Sequence, residues 1–267
     1  MILGAPRHSL GGYREYSVPA DLREIADAIW CYSRPAGAPP IPGGGHRVLP
    51  DTNVSVCFWS RRDAGGCVSD PQVIFMGPAP SVHFFDPLPG VHLEAIRLKP
   101  EWSRDLFGMD PGEHRDVRNA LQGSTALRDA LSRTRGSGDA IDVLLNELRS
   151  RHAAARIERG TVIAHDALEH LRATDAAIGT LPRLVRVSER QMRRSIHATT
   201  GLSAKRAQRI IRINRAVVAA DRVARPDWAT IALDAGFYDQ SHMIDEMREL
   251  TGLTPSALCA ERRMQQS

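Results

Sequence analysis

The 267-residue chain is long enough for two ordinary domains with separate cores, and its 42% hydrophobic and 25% charged residues are the balance of a globular protein rather than a disordered one. No apolar run approaches bilayer-spanning length, and Met1 to Gly12 lacks a charged segment followed by an apolar stretch, so the expected compartment is the cytoplasm. The net charge of +4 is unevenly spread: residues 178–215 hold ten Lys/Arg against the single acid Glu189, giving +9 there and −5 over the rest. Such a basic stretch is the footprint of a polyphosphate partner.

Residues 18–102 read as short strands. Asp21 to Trp30 carries Leu22, Ile25 and Ile29 at helical spacing, with an edge strand ending at Trp30 as the alternative. Pro and Gly crowd 35–50, including Gly43-Gly44-Gly45, which predicts a loop. Val54, Val56 and Phe58 alternate with Ser55, Cys57 and Trp59, as a half-buried strand should. Val73-Ile74-Phe75-Met76 is an apolar run stopped by Gly77-Pro78, and Val91 to Leu98 alternates imperfectly, which suggests a bulge or bend near Ala95. Together these predict a small antiparallel, barrel-like β-domain.

Helical periodicity takes over after Pro100. In Asp139 to Ile157, Ile141, Leu144, Leu145 and Leu148 form one apolar stripe at i, i+3, i+4 and i+7, with Asp139 as its cap and Gly136-Ser137-Gly138 as a flexible joint before it. The stripe suits either packing on the β-domain or dimerisation. A second joint is expected near Glu158-Arg159-Gly160, and every later segment reads helical, beginning with Val162 to Arg172.

One pattern in this helical half occurs twice. Thr200-Gly201-Leu202-Ser203 and Thr251-Gly252-Leu253-Thr254 lie 51 residues apart, and the same offset pairs Ser188 with Asp239, Met192 with Met243 and Ile196 with Met247. A fixed offset that aligns caps, core positions and turn glycines marks one structural unit used twice. Each copy reads as a short helix, a tight turn and a capped second helix, the helix-turn-helix arrangement that sets a reading helix in a DNA major groove.

In the first copy Leu181, Leu184 and Val185 make the scaffold face and Arg186-Val187 spans the turn. Ser188 and Gln191 form a Ser-x-x-Gln capping box, Met192 and Ile196 face inward, and Arg190, Arg193, Arg194 and His197 lie on or beside the outer face. Arginine's planar fork matches guanine O6 and N7. Gly201 ends this helix, and Ser203 caps another running from Ala204 to about Asp221, with a core stripe of Ile210, Ile213 and Val217. The free amides at the capped helix starts, at Ser188, Ser203 and Thr254, together with Lys205 and Arg206, are expected to grip phosphate.

In the second copy Ile231, Ala232 and Ala235 form the scaffold face, Gly236 makes the turn and Asp239 takes the cap position. Gln240, Ser241 and His242 fall where side chains reach base edges, and Gln suits adenine N6 and N7. Pro255 stands at the first position of the last helix, where a missing N–H costs nothing. Asp245 aligns with Arg194, and residues 216–267 carry a net −3, so the second copy is expected to add less affinity than the first.

Ile231-Ala232, then Ala235-Gly236-Phe237-Tyr238-Asp239-Gln240-Ser241-His242-Met243, then Thr251-Gly252-Leu253-Thr254-Pro255 resembles the signature of AraC/XylS-type transcription regulators, over about residues 162–258. The resemblance implies two helix-turn-helix subdomains joined by a long helix, inserting into adjacent major grooves on one face of DNA. It puts base contacts on Arg190, Arg193 and Arg194 and on Gln240, Ser241 and their neighbours. Asp245 departs from the basic residue some relatives carry there, and Met243 and Met247 replace common Phe positions. The amino-terminal half resembles, less specifically, the cupin-like sensory domains of that family, with His46-Arg47-Val48-Leu49-Pro50-Asp51 and the Gly77-Pro78 step as landmarks. The expected division is then a β-rich sensory or oligomerisation domain (1–135), a helical linker or dimerisation helix (136–160) and a tandem helix-turn-helix domain (161–267), an α+β chain overall. The implied partners are double-stranded DNA, a small-molecule effector not identified by sequence, a second copy of the chain and RNA polymerase.

Two other readings compete. One is an effector-independent regulator whose β-domain only dimerises; the other is a cupin-type enzyme fused to a DNA-binding module. A metal-dependent cupin needs a tight His-x-His and a Glu, and although His83, His92 and Glu94 are present, no His-x-His exists. The four cysteines, Cys31, Cys57, Cys67 and Cys259, show neither Cys-x-x-Cys spacing nor an adjacent His pair, so no zinc site or disulfide framework is expected. Cys31 and Cys57 are better read as buried apolar thiols than as nucleophiles. No cofactor and no catalytic residue is expected.

Overall fold

The computed structural model describes residues 5–41, 45–63, 65, 68–109, 139–174 and 177–266. Its amino-terminal part is a six-stranded antiparallel sheet of β1 (His8–Leu10), β2 (Tyr13–Tyr16), β3 (Ala26–Ser33), β5 (Val54–Arg62), β6 (Val68–Met76) and β8 (Val91–Leu98), in the order β1-β2-β3-β8-β5-β6. A second sheet pairs β4 (His46–Val48) with β7 (His83–Phe85).

The sheet has two packed faces. Ile29, Val54, Val56, Phe58, Ile96 and Leu98 meet α1 (Ser103–Phe107) and α2 (Asp139–Ala154), whose Ile141, Leu144, Leu145 and Leu148 are all buried in that core. The apolar stripe of α2 therefore packs on its own β-domain, each Leu or Ile contributing about 1.5–3 kcal/mol by burial. The opposite face buries Trp30, Tyr32, Cys57, Val91 and Leu93 against Phe85 of β7. Strand β8 lies between β3 and β5 with both sides covered, which is why its alternation is imperfect.

Several expectations are corrected. The Asp21–Trp30 segment is a 3-10 turn at Ala20–Leu22 followed by strand β3, and β3 is interior rather than an edge, because ladder bonds from β2 and β8 outweigh the helical spacing of three apolar residues. Ala95 sits in unbroken register between Trp30 and Cys57, and the irregularities fall instead at Ala26/Ala28 and Trp59/Arg61. Part of the expected 35–50 loop is strand β4. The Gly136-Ser137-Gly138 joint, Gly43-Gly44 and Cys67 lie outside the described residues.

The carboxyl-terminal part is helical: α3 (Arg159–Ala173), α4 (Leu181–Leu184), α5 (Glu189–Thr200), α6 (Ala204–Asp221), α7 (Trp228–Asp234), α8 (Gln240–Thr251) and α9 (Pro255–Gln266). Gly160, expected in a joint, lies in the first turn of α3. Two small cores flank the long α6. Leu168, Leu171, Leu181, Met192, Ile196 and Ile211 form one, and Ile213, Val217, Ile231, Phe237, Met243 and Met247 belong to the other. Alternate faces of α6 serve both, so it is the shared spine of two helix-turn-helix subdomains. The chain is thus α+β, with an antiparallel β-domain and an all-α domain. Among the described residues no helix is long and apolar enough to cross a membrane.

Candidate nucleic-acid interface

Each reading helix begins on the side chain expected of it. Ser188 Oγ accepts from Gln191 N at 3.2 Å and starts α5; Asp239 Oδ1 accepts from His242 N at 2.8 Å and starts α8. Ser203 Oγ caps α6 through Arg206 N at 3.2 Å, and Thr254 Oγ1 caps α9 through Ala257 N at 3.3 Å. An accepting hydroxyl still carries a proton it can donate to a phosphate oxygen. Both reading helices end on a left-handed glycine, Gly201 (φ 67°) and Gly252 (φ 78°), where a side chain would be strained. Met192, Ile196, Met243 and Met247 are fully or almost fully buried, which fixes the rotation of each helix and turns the intervening residues outward.

On α5, Glu189, Arg190, Arg193, Arg194 and His197 are exposed; on α8, Gln240, Ser241 and Asp245 are. No described part of the chain covers these faces. Scaffold helix α4 is a single turn, and Leu184, expected on its inner face, is half exposed, while Leu181 is buried and Val185 packs partly against the core.

The structure sorts the basic stretch. Arg193 pairs with Glu189 at 2.6 Å on the exposed face, a contact worth little and easily surrendered. Arg209 bonds Glu246 at 3.0 Å and also Glu249, tying α6 to α8, while Arg215 donates to the Thr174 and Asp234 carbonyls. Arg206, expected to grip phosphate, donates instead to the Pro80 carbonyl at 2.6 and 3.0 Å. Arg183, Arg186, Arg190, Arg194 and Lys205 are exposed and make no hydrogen bond or ion pair with any described residue. All five belong to the first helix-turn-helix or the start of α6.

In the second unit, Gln240 and Ser241 are exposed and unengaged among the described residues. His242 is held back: its Nδ1 accepts from Tyr238 N at 3.3 Å, its Nε2 lies 3.4 Å from Glu246, and its ring meets Phe237 edge-on. Asp245 points to solvent, 3.9 Å from Arg248.

The β-domain touches both units through residues to which sequence reasoning gave no such role. Glu101, fully buried, accepts from His165 Nδ1 at 2.9 Å and from Arg172 at 3.1 Å, and Lys99 meets Glu169 at 3.1 Å. Burial alone would raise the Glu101 carboxyl, but Arg172 and the His165 bond outweigh it and hold it down at about 2. Glu101, His165 and Glu169 are close enough to ligate a metal. Arg172 and Lys99 already answer both carboxylates, however, so the cluster is an ion-pair joint between the domains. At the second unit, Val82 N donates to Leu250 O at 3.1 Å, and Arg47 donates to Thr251 O at 2.8 Å and Glu261 at 2.9 Å. Elsewhere in the β-domain, burial pushes the Cys31 thiol up to about 12 and the Cys57 thiol higher still, so neither ionises near neutrality.

A helix-turn-helix domain family matches residues 181–261, which span both capped reading helices. No curated protein matches the chain. Solved structures similar to it include an AraC-type transcriptional regulator from Chromobacterium violaceum, at 22% identity over 38% of this chain and 91% of that one with a TM-score of 0.35. The DNA-binding domain of AdpA in complex with a target DNA is similar at 21% identity over 40% and 95%, TM-score 0.35. ToxT from Vibrio cholerae is similar at 9% identity over 88% and 96%, TM-score 0.43. Residues 181–261 of this chain are thus a helix-turn-helix domain, with two capped reading helices on one spine.

Proposed function

We propose that the two reading helices enter adjacent major-groove segments, about one helical turn of DNA apart, with the first unit supplying most of the attraction. Arg190, Arg193 and Arg194 on α5, and Gln240 and Ser241 on α8, read base edges, with His242 beside them. Ser188, Ser203, Lys205 and Thr254 hold phosphates, and Arg206 joins them once it leaves the Pro80 carbonyl. The observation that carries this reading is the concentration of unpartnered, exposed cations on the first unit (Arg183, Arg186, Arg190, Arg194 and Lys205), set beside a second reading helix that is capped in the same way but acidic. Fluorescence anisotropy of the full chain on mixed-sequence duplex across a salt series tests it. Binding that weakens steeply with salt is expected, and salt-independent or absent binding would refute it.

We further assign residues 1–135 to sensing and oligomerisation, 136–160 to a helical linker and 161–267 to DNA binding, in a cytoplasmic, non-enzymatic regulator. A small-molecule effector in the β-domain would act through the joints to the helical units, since Arg47, Arg206 and Glu101 tie β-domain backbone and side chains to both. A second copy of the chain and RNA polymerase complete the partners. A thermal-shift screen of small polar and aromatic compounds, followed by anisotropy with each hit, tests effector control: a hit that changes DNA affinity supports it, and stabilising hits that leave affinity unchanged count against it.

A further inference from the structure

The two helix-turn-helix turns share two backbone hydrogen bonds but not the residue between them. In the second, Ala235 N bonds Ile231 O, Phe237 N bonds Ala232 O at 2.9 Å, and Gly236 between them is left-handed at φ 87°. In the first, Val185 N bonds Leu181 O, Val187 N bonds Pro182 O at 3.0 Å, and the left-handed position at φ 53° is occupied by Arg186. The pairing is confirmed by the cores, where Leu181 and Ile231 are buried and Val187 and Phe237 pack alike. Tyr238, 85% exposed, is then an extra residue in the second turn.

Arg186 is the one non-glycine residue with positive φ among the described residues. The backbone demands this conformation to end the scaffold helix, and glycine meets that demand without strain in the sister turn. An arginine meets it at a cost to stability, and its exposed side chain makes no hydrogen bond or ion pair with a described residue that would offset that cost. It stands two residues before the Ser188 cap, whose helix start presents free amides and the positive end of the α5 dipole.

We propose that Arg186 is a DNA phosphate contact, and that the strained arginine is kept because the left-handed backbone projects its guanidinium beside the anion-accepting start of the first reading helix. This rests on the DNA-binding reading above. Because a phosphate contact carries no sequence information, the ligand class is any duplex, and Arg186 adds to affinity and salt sensitivity but not to base preference.

The test uses the full chain, Arg186→Gly, Arg186→Ala and Arg186→Lys, and a mixed-sequence 40-bp duplex. Arg186→Gly is expected to raise Tm by about 2–4 °C, by removing the strain, while DNA affinity falls about 3- to 10-fold and the slope of log affinity against log salt loses about 0.9. Arg186→Ala, which keeps the strain, should lose the same affinity and slope without gaining stability, and Arg186→Lys should keep the slope. A wild-type chain that binds with salt dependence while Arg186→Gly binds identically would overturn the proposal and spare the DNA-binding reading. A lower Tm for Arg186→Gly would give the arginine a structural role and also overturn it. A wild-type chain that fails to bind the duplex would overturn both.

Discussion

The guanidinium of Arg47, on a strand of the β-domain, donates to the Thr251 carbonyl at 2.8 Å, at the end of the second reading helix. The last carbonyls of a helix lack intrahelical donors, so a cation there satisfies an orphan acceptor and the negative end of the dipole together. Phe84 backs Arg47 at 4.9 Å, and Val82 N takes the neighbouring Leu250 carbonyl. The β-domain thus caps the carboxyl end of a helix whose first turn carries the exposed Gln240 and Ser241.

Arg47→Ala is expected to free that end. Amides around 250–253 should exchange faster with solvent while those of α5 are unchanged, and the chain should lose about 1–3 kcal/mol of stability. Unchanged exchange at 250–253 would show that Val82 suffices.

Glu101→Gln is expected to cost about 1–3 kcal/mol near neutral pH, because Arg172 and His165 lose a charged buried partner and Arg172 keeps only Glu169. The folded-state Glu101 carboxyl is depressed to about 2, below its unfolded value of 4.5. Its stabilisation is therefore complete above about pH 4.5 and lost as pH falls toward 2. Thermal melts of the two chains between pH 7 and 2 should converge across that window; parallel curves would count against the ion pair.

Lys205→Ala should weaken binding to all sequences alike and flatten the salt slope by about 0.9, whereas Arg194→Ala should relax preference at defined base positions by about 1–3 kcal/mol. Selection from a randomised duplex library distinguishes them. A changed motif for Lys205→Ala with an unchanged slope would reverse the two roles.

Asp245→Arg should tighten non-specific binding several-fold, since Asp245 is exposed on the second reading helix and only loosely paired with Arg248. Unchanged affinity would place that face away from the duplex.

Met192→Ala should cost about 2–5 kcal/mol by opening a cavity under the first reading helix, read as a lower midpoint in urea. A cost under about 1 kcal/mol would show that the small core beside α6 collapses to fill the gap.

What is local was legible in the amino-acid order. Caps at Ser188, Ser203, Asp239 and Thr254, left-handed Gly201 and Gly252, and inward Met192, Ile196, Met243 and Met247 each depend on residues within about one turn, so spacing alone revealed them. Tertiary structure decided what depends on distant partners. Arg206 and Arg209 read from sequence like Arg194, yet Pro80 and Glu246 occupy them from 126 and 37 residues away. Asp21–Trp30 carried helical spacing but became an interior strand, because its hydrogen-bond partners are strands that periodicity cannot see. The left-handed Arg186 was invisible for the same kind of reason: spacing shows where a turn falls, but only the folded backbone shows which residue bears its strain.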